Sequence, residues 1–388
     1  LSEKGVRVFV GVSAPLISGK EILAPAQVVG LPHWRQPALV RLAHALLGCC
    51  RLAVAAPERL LAVLRASAHQ RGASLRSQIK KAISLLPIAR LHPDVLHFEW
   101  PSALCDYLPA LKLFQAPVVV SCRGRQVNIE PLTGGPEAGS RLRMALSVAD
   151  AVHCVSRAIA EEANRYAPIA HKACVIPPAV DAGFFAPVPH DTDPNRPFRI
   201  VSVGSLIWLK GYEYALLALR KLLDANVPAF YEIVGDGPKS ERQRILYTAW
   251  DLQLGSALRL CGSQPPERVR DILQSADAFL HASVSEGLPN AVLEAMACGL
   301  PVVAADCSGV REAVTNGVEG FVVPLRAPAA MADALRTLAT NRTLARTMGT
   351  AGRQRVLREF TLEKQADAFL QLYRSLVLSK RGEHRRGK

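Results

Sequence analysis

Residues 285–297 read Ser-Glu-Gly-Leu-Pro-Asn-Ala-Val-Leu-Glu-Ala-Met-Ala. The segment follows an apolar strand pattern, and Pro289 suits the first position of a helix. Gly287 permits a tight turn, and a helix N-terminus offers unpaired N–H groups and the positive end of the helix dipole. Glu286 and Glu294 would repel a bare phosphate but accept hydrogen bonds from sugar hydroxyls. On the residues alone, a ligand site and an ordinary surface helix with an acidic first turn remain equal alternatives.

Strand and helix patterns alternate on both sides of this segment, which is typical of βαβ units with parallel sheets. Residues 186–199 interrupt the alternation with four prolines and no apolar periodicity, which indicates a linker. We therefore predict an α/β protein with two doubly wound, Rossmann-like domains that face each other across a cleft. The predicted strands are residues 7–12, 94–98, 117–121, 151–155, 199–203, 230–234, 258–260, 278–281, 301–304 and 320–323.

Two further glycine-containing segments follow strands in the second half of the chain. Residues 204–211 read Gly-Ser-Leu-Ile-Trp-Leu-Lys-Gly. A glycine loop with a lysine before the next helix suits a diphosphate, and a plain turn with a solvated lysine is the alternative. Residues 235–238, Gly-Asp-Gly-Pro, suit a turn.

The order and spacing of these three segments resemble the retaining nucleotide-sugar glycosyltransferases of family 4, which have the GT-B fold. The family pattern Glu-Gly-x-(Pro/Ala)-x-x-x-x-Glu-Ala-x-Ala-x-Gly-x-Pro-Val runs from Glu286 to Val302 almost without departure. The resemblance implies an acceptor-side domain at 1–187, a nucleotide-sugar-binding domain at 188–360, and a C-terminal helix with a basic tail at 361–388. It also implies transfer of a sugar to a hydroxyl acceptor with retention of configuration, in polysaccharide or glycolipid biosynthesis.

The resemblance further implies roles for individual residues. Lys210, helped by backbone N–H groups near Gly204 and at 287–290, would stabilise charge on the leaving diphosphate. Glu294 would hold the ribose hydroxyls and Glu286 the transferred sugar. The implied catalytic residues are Lys210, Glu286, Arg123 and His97. The implied donor-binding residues are Gly204, Ser205, Lys210, Gly235, Gly237, Glu286, Gly287, Leu288, Pro289, Asn290 and Glu294.

Three departures from the family pattern affect this prediction. Ser205 replaces an arginine that usually shares the donor diphosphate with the lysine, and Arg123 replaces a histidine near the reaction centre. Residues 1–8 resemble the segment after the family's first helix. We therefore expect the family's first strand, its glycine-rich loop and most of its first helix to be missing from this chain.

We expect a UDP- or GDP-sugar as the donor, with no cofactor and no required metal. The triplet Asp191-Thr192-Asp193 matches a metal motif of the other major glycosyltransferase fold, but it lies in the proline-rich linker and suits a solvated turn. His97, His153 and His281 each end a predicted strand, and a lone histidine there is more often structural than a ligand. His97 is the strongest candidate of the three because it opens the sequence His-Phe-Glu-Trp at a strand's carboxyl end.

Composition limits the class of protein and its partners. The chain has 388 residues, 49% hydrophobic and 21% charged, as globular proteins of about two domains do. Its nine cysteines have no CxxC spacing, which indicates reduced thiols of a cytoplasmic protein. The net charge of +14 favours anionic partners. We expect a lipid-linked or anionic saccharide acceptor and no nucleic acid.

Residues 35–90 contain ten basic residues and a single acidic one, Glu58, with apolar residues at helical spacing between them. Such a region suits the anionic inner face of a plasma membrane, and a solvated helix face is the alternative. Two other functions also remain open. One is a GT-B hydrolase or epimerase that acts on a nucleotide sugar without an acceptor. The other is a non-catalytic protein that binds nucleotide sugars or polyanions.

Overall fold

A six-stranded parallel sheet occupies the second half of the protein in this computed structural model, which describes residues 1, 4–12, 27–30, 38–68, 74–89, 91–189 and 196–386. The strands are β1 (Phe9–Val12), β2 (Gln27–Gly30), β3 (Leu96–Phe98), β4 (Val118–Cys122), β5 (Ala151–Cys154), β6 (Ala173–Val175), β7 (Phe198–Val203), β8 (Ala229–Val234), β9 (Leu258–Gly262), β10 (Ala278–His281), β11 (Val302–Ala305) and β12 (Gly320–Val323). Every strand predicted from the sequence is present within a few residues of its predicted bounds.

Helices connect most of these strands. They are α1 (Ala38–Ala55), α2 (Pro57–Ala68), α3 (Leu75–Ala89), α4 (Pro101–Asp106), α5 (Arg125–Asn128), α6 (Glu130–Thr133), α7 (Pro136–Val148), α8 (Arg157–Asn164), α9 (Tyr212–Asp224), α10 (Lys239–Asp251), α11 (Pro266–Ser275), α12 (Asn290–Ala297), α13 (Val310–Ala313), α14 (Pro328–Thr340), α15 (Arg342–Glu359) and α16 (Leu362–Arg386). Among the helices in the described ranges, none combines the length and hydropathy that a membrane span requires.

The large sheet has the strand order β12-β11-β10-β7-β8-β9, with parallel pairing throughout. Read from β9, this is the doubly wound order, in which the strand order reverses between β7 and β10: β8 and β9 add on one side of β7, and β10, β11 and β12 add on the other. Alternate side chains of a strand point to opposite faces, and neighbours such as Ile200 and Val201 enter two different buried clusters. Helices α9 and α14 cover one face, and α12 covers the other. Apolar burial on both faces explains why these strands are near-continuous apolar runs.

Two smaller sheets complete the described strands. One has the order β3-β4-β5-β6, and the other pairs β1 with β2 in parallel. The fold class is therefore the predicted one, an α/β protein with parallel sheets.

Contacts divide the chain into two compact units. The first comprises Leu1–Ser121, Arg141–Val152 and Phe369–Lys388, and the second comprises Cys122–Ser140 and His153–Ala368. Within the first unit, α1, α2 and α3 pack around Leu52, Val63, Leu85 and Leu86. The domain boundaries at 187 and 360 remain predictions.

Candidate active site

The loops that follow β7 and β10 leave the large sheet at its topological switch point. Ligands of doubly wound sheets bind at the carboxyl ends of the strands at this point. Residues 204–211 form the first of these loops and residues 282–289 the second. The two most informative segments of the sequence therefore lie side by side in the second unit.

Close backbone contact holds these two loops together. The Val284 N–H donates a hydrogen bond to Leu209 O over 2.8 Å. Gly211 has a φ of +62°, and a side chain there would overlap the backbone oxygen of Ala282. Only glycine meets both demands without strain, so Gly211 allows the turn that brings Lys210 to the second loop.

Lys210 and Glu286 form an ion pair at the centre of this arrangement. Lys210 Nζ lies 2.6 Å from Glu286 Oε1, and the two side chains are only 23% and 16% exposed. His281, at the end of β10, is buried, and its Nε2 lies 3.6 Å from the same oxygen. Buried Ser283 also donates a hydrogen bond to the Glu286 carboxylate. Two residues predicted to be catalytic are thus in direct contact.

The charges of this cluster follow from burial and from the ion pair. Burial, the largest effect, lowers the pKa of His281 to about 4, with Glu286 opposing the shift and Lys210 adding to it. The imidazole is therefore neutral at pH 7. Burial by itself raises the pKa of Glu286, but attraction to His281 and Lys210 and hydrogen bonds from Lys210 and Ser283 bring that pKa below its usual value. Since His281 is neutral at pH 7, Lys210 supplies the attraction there.

The Glu286–Leu288 turn is packed tightly on its other side by the same unit. A Cβ on Gly287 would lie 2.8 Å from Gly124 N, and one on Gly124 would lie 2.7 Å from Gly287 N. Ser156 Oγ donates to Gly287 O over 3.0 Å, and Asn128 Nδ2 donates to Glu286 O over 3.2 Å. These contacts fix the backbone beneath the Glu286 carboxylate, and they place the Arg123-Gly124 backbone beside it.

Helix α12 begins one residue later than predicted. Pro289 has the extended dihedral angles φ −79° and ψ 116° and is the N-cap, so Asn290 is the first helical residue. Leu288 and Pro289 are buried and Asn290 is exposed. The correction leaves Glu294 in the second turn of the helix.

Glu294 has a partly buried carboxylate. Burial raises its pKa. Within the described ranges, no side chain donates a hydrogen bond to this carboxylate. A partly buried acceptor of this kind suits hydroxyl groups of a ligand.

The structure gives a packing reason for two of the predicted donor-site glycines. A Cβ on Gly235, which has a φ of +139°, would overlap Gly204 O, and a Cβ on Gly237 would overlap Leu206 O. The loop after β8 therefore supports the loop after β7. The Gly204 N–H donates to Val234 O over 2.9 Å, so this N–H is already engaged in the sheet. Ser205 is exposed beside it.

We expect Gly235→Ala to lower the free energy of unfolding by about 1–3 kcal/mol, the usual cost of a sparsely populated backbone conformation. The added methyl group also meets the backbone of Gly204, which raises the loss toward the upper end. Gly317→Ala is the control, because Gly317 has a φ of +83° with open space around it. Urea unfolding of both variants measures the difference, and equal losses would show that contact with Gly204 has no effect.

His97 lies in the first unit with both ring nitrogens engaged. Its Nδ1 is 2.6 Å from Tyr373 Oη and its Nε2 is 2.7 Å from Ser121 Oγ. The ring also lies 5.6 Å from that of Phe369. These contacts tie β3 to the first unit's part of α16, and the catalytic role of His97 remains a prediction.

Two contributors to the site were missed or discounted in the sequence. His281 was interpreted as structural, although it stands five residues before Glu286 at a strand's carboxyl end. Asn128 lies in a short helix whose sequence gives no signal of the contact it makes with the Glu286 backbone.

The sequence analysis interpreted the Asp-x-Asp triplet at residues 191–193 as a linker turn and not as a metal site. Asp191, Thr192 and Asp193 lie outside the described residues. Elsewhere, the described part of the chain has no group of three or more His, Cys, Asp or Glu side chains placed to share a metal ion.

Comparisons with known families match both halves of the chain. Residues 190–355 match the family described as glycosyl transferases group 1, and residues 30–184 match glycosyltransferase family 4. A putative colanic acid biosynthesis glycosyltransferase, WcaL of Escherichia coli K12, is 37% identical over 162 residues. That alignment covers 40% of this chain and 39% of the relative, so the chain spans about two fifths of that protein.

Longer matches have lower identity. The alpha-maltose-1-phosphate synthase of Mycolicibacterium smegmatis is 28% identical over 71% of this chain and 77% of its own length. Anabaena Alr3699/HepE, whose crystal structure is described in complex with UDP, superposes with a TM-score of 0.69 at 18% identity. The superposition covers 95% of this chain and 92% of that one. Given these matches and the parallel sheets described above, the chain is a homologue of the glycosyltransferases and has the GT-B fold.

Proposed function

We propose that the protein transfers a sugar from a nucleoside diphosphate donor to a hydroxyl acceptor with retention of configuration, in polysaccharide or glycolipid biosynthesis. The observation that carries this proposal is the meeting of Lys210 and Glu286 at the switch point of the large sheet, with Glu294 on the helix that follows. The Lys210 cation suits the diphosphate of a nucleotide sugar, the Glu286 carboxylate suits its sugar, and the Glu294 carboxylate suits the ribose hydroxyls. The homologous glycosyltransferases support the reaction class, and the family resemblance supports retention.

The chemistry needs a site that stabilises a departing diphosphate. The bond between the sugar C1 and the diphosphate oxygen breaks, and a bond from the acceptor oxygen to C1 forms on the same face. The acceptor's proton passes to the oxygen of the leaving phosphate. Lys210 stabilises the charge that grows on that oxygen, and an oriented cation in a partly buried site does this without reorganisation. Glu286 orients the sugar and Glu294 the ribose.

A nucleotide-release assay tests the reaction and separates it from its alternatives. UDP-glucose is the first donor to use, since the Anabaena structures are described with UDP and with UDP-glucose, and GDP-sugars follow. Transfer requires a saccharide or lipid acceptor for nucleotide release. A hydrolase or epimerase yields free sugar or an epimer without acceptor, and a binding protein releases no nucleotide. Proton NMR of the product's anomeric centre reports retention or inversion.

We expect the activity to persist in excess EDTA. In the proposed mechanism Lys210 neutralises charge on the diphosphate, and the residues that the structure describes offer no grouped ligands for a metal ion. The measurement compares initial rates with EDTA, with added Mn²⁺ and with neither. Loss of activity in EDTA that Mn²⁺ restores would overturn the metal-independent mechanism.

We also propose that α1, α2 and α3 bind an anionic membrane surface that carries the acceptor. Exposed apolar side chains recur at helical spacing on α1, at Leu46, Leu47 and Val54, with exposed Arg51 among them. On α2, Leu61 and Leu64 are half exposed next to exposed Arg65.

Helix α3 repeats the arrangement with Leu75 and Ile79 beside Arg76 and Lys80, all exposed. Glu58 is the only acidic residue in the three helices. Exposed apolar and basic side chains on these three helices match the acyl and anionic headgroup layers of a lipid interface.

The double variant Arg51→Gln/Arg65→Gln tests this membrane surface. Each basic residue near an anionic surface contributes about 1 kcal/mol, so the pair should weaken binding about 30-fold. Co-sedimentation with phosphatidylglycerol vesicles measures the effect, phosphatidylcholine vesicles give the baseline, and Lys239→Gln on α10 is the control. Equal binding to both vesicle types, or no loss in the double variant, would contradict the proposal.

A further inference from the structure

A buried nitrogen of His281 has no hydrogen-bond partner among the described residues. The side chain is 5% exposed, and its Nε2 lies 3.6 Å from Glu286 Oε1, too far for a hydrogen bond. Buried polar atoms in folded proteins nearly always have partners, so an exception at a candidate site calls for a reason.

The position of Lys210 explains why the His281 nitrogen makes no hydrogen bond to Glu286 in this structure. Its ammonium lies 2.6 Å from the very oxygen that His281 faces. A donor diphosphate at Lys210 would compete with Glu286 for the same cation. A buried carboxylate that loses its cation pays a large desolvation penalty unless another donor replaces it.

Other groups around the carboxylate are poor replacements. Tyr212 Oη already donates to Gly204 O over 2.9 Å, and Ser283 already donates to Glu286. The Cys307 thiol, whose pKa burial raises to about 12, is a weak donor. Compared with these three side chains, the imidazole of His281 is the stronger unused donor.

We propose that His281 is a positioning residue that takes over the Glu286 carboxylate when a donor diphosphate draws Lys210 away. The Nε2–H of the neutral imidazole closes the remaining distance and donates to Oε1. Glu286 then stays ionised and oriented toward the sugar while Lys210 serves the phosphate. The inference rests on the proposed function in assigning Lys210 to the diphosphate.

A ligand-free stability cycle tests the contact between His281 and Glu286 without any activity. The variants are Lys210→Met, His281→Phe, the double variant, and the double variant with Glu286→Gln. Besides the Ser283 hydroxyl, either single variant leaves the carboxylate one strong donor, and the double variant leaves no other. We expect the double variant to lose more melting temperature than the two single variants lose together, by at least about 3 °C. Glu286→Gln should remove that excess, because a neutral amide carries no buried charge that a donor must stabilise.

Additive losses, or an excess that persists with Glu286→Gln, would overturn the inference. If the double variant does not fold, Lys210→Met/His281→Gln replaces it, since glutamine keeps a donor at the same place. A folded glutamine variant beside an unfolded phenylalanine variant supports the inference, and equal loss for both overturns it.

Calorimetry with UDP tests the exchange of partners itself. In buffers of different ionisation enthalpy, wild type and His281→Gln should exchange the same number of protons when they bind UDP at pH 6.5, because titration of the UDP terminal phosphate near this pH is common to all variants. His281→Phe should take up about one proton more than wild type, because Glu286 can then lose Lys210 only by becoming protonated. Equal proton exchange in His281→Phe and wild type would overturn the inference. GDP replaces UDP if wild type does not bind UDP. If wild type binds neither nucleotide, the proposed function fails, and the ligand-free cycle still decides whether His281 supports Glu286.

Discussion

Lys210→Ala should lower turnover by about 10²–10³-fold, the usual effect of removing one oriented group that stabilises transition-state charge. The ammonium is partly buried and sits at the carboxyl end of β7, where the leaving diphosphate is placed by the proposal. Its loss also leaves Glu286 with a weaker set of donors. We expect the larger effect on kcat, because the leaving group gains charge as the bond breaks.

Lys239→Ala is the matched control for this variant, since Lys239 is an exposed lysine of the same unit at the start of α10. It should retain wild-type turnover. Circular dichroism and thermal unfolding establish that both variants are folded. If the turnover of Lys210→Ala lies within about threefold of wild type, Lys210 does not stabilise charge in the transition state and has no part in the mechanism.

Glu294→Ala should weaken nucleotide binding by about 10–100-fold, with the loss expressed in the dissociation constant of UDP or GDP. Hydrogen bonds to a charged group contribute about 1.5–3 kcal/mol, and the ribose would lose such an acceptor. The half-buried position of Glu294 and its lack of a donor in the described structure favour this role over a structural one. Isothermal titration calorimetry with UDP and with 2′-deoxyuridine 5′-diphosphate measures the two dissociation constants.

The deoxy nucleotide separates the ribose contact from a general loss of binding. Wild type should prefer UDP, and Glu294→Ala should bind both nucleotides with similar, weak affinity. Glu267→Ala, at an exposed glutamate on α11, is the control and should behave as wild type. Unchanged UDP affinity in Glu294→Ala would show that the ribose lies elsewhere.

Local pattern predicted the large sheet well. Strands β7, β8, β10, β11 and β12 are predominantly apolar runs, most of them next to a glycine or proline, and burial on both faces makes that pattern strong. Their bounds shifted by a residue or so at the ends, as with β11, which begins at Val302 and not at Pro301. The start of α12 was predicted one residue too early, because on sequence alone Pro289 suits either the N-cap or the first turn of the helix.

The candidate site was predictable only in part. Glu286 and Lys210 were candidates because each stands in a strand–turn–helix signature, and the family resemblance implied their roles. The structure brings them together as an ion pair. The role of His281 was not, since burial and an absent partner are tertiary properties with no local signal. The same holds for the contact of Asn128 with the Glu286 backbone and for Gly235, whose need for glycine arises from the neighbouring Gly204.

A crystal structure of the protein with bound UDP tests the central claim most directly. The account predicts the diphosphate at the carboxyl ends of β7 and β10, with Lys210 Nζ about 2.7–3.2 Å from a phosphate oxygen. It also predicts ribose hydroxyls at the Glu294 carboxylate and a Glu286–His281 hydrogen bond in place of the Lys210–Glu286 ion pair. UDP bound at another place, or bound with the Lys210–Glu286 pair intact and no phosphate contact from Lys210, would contradict the account.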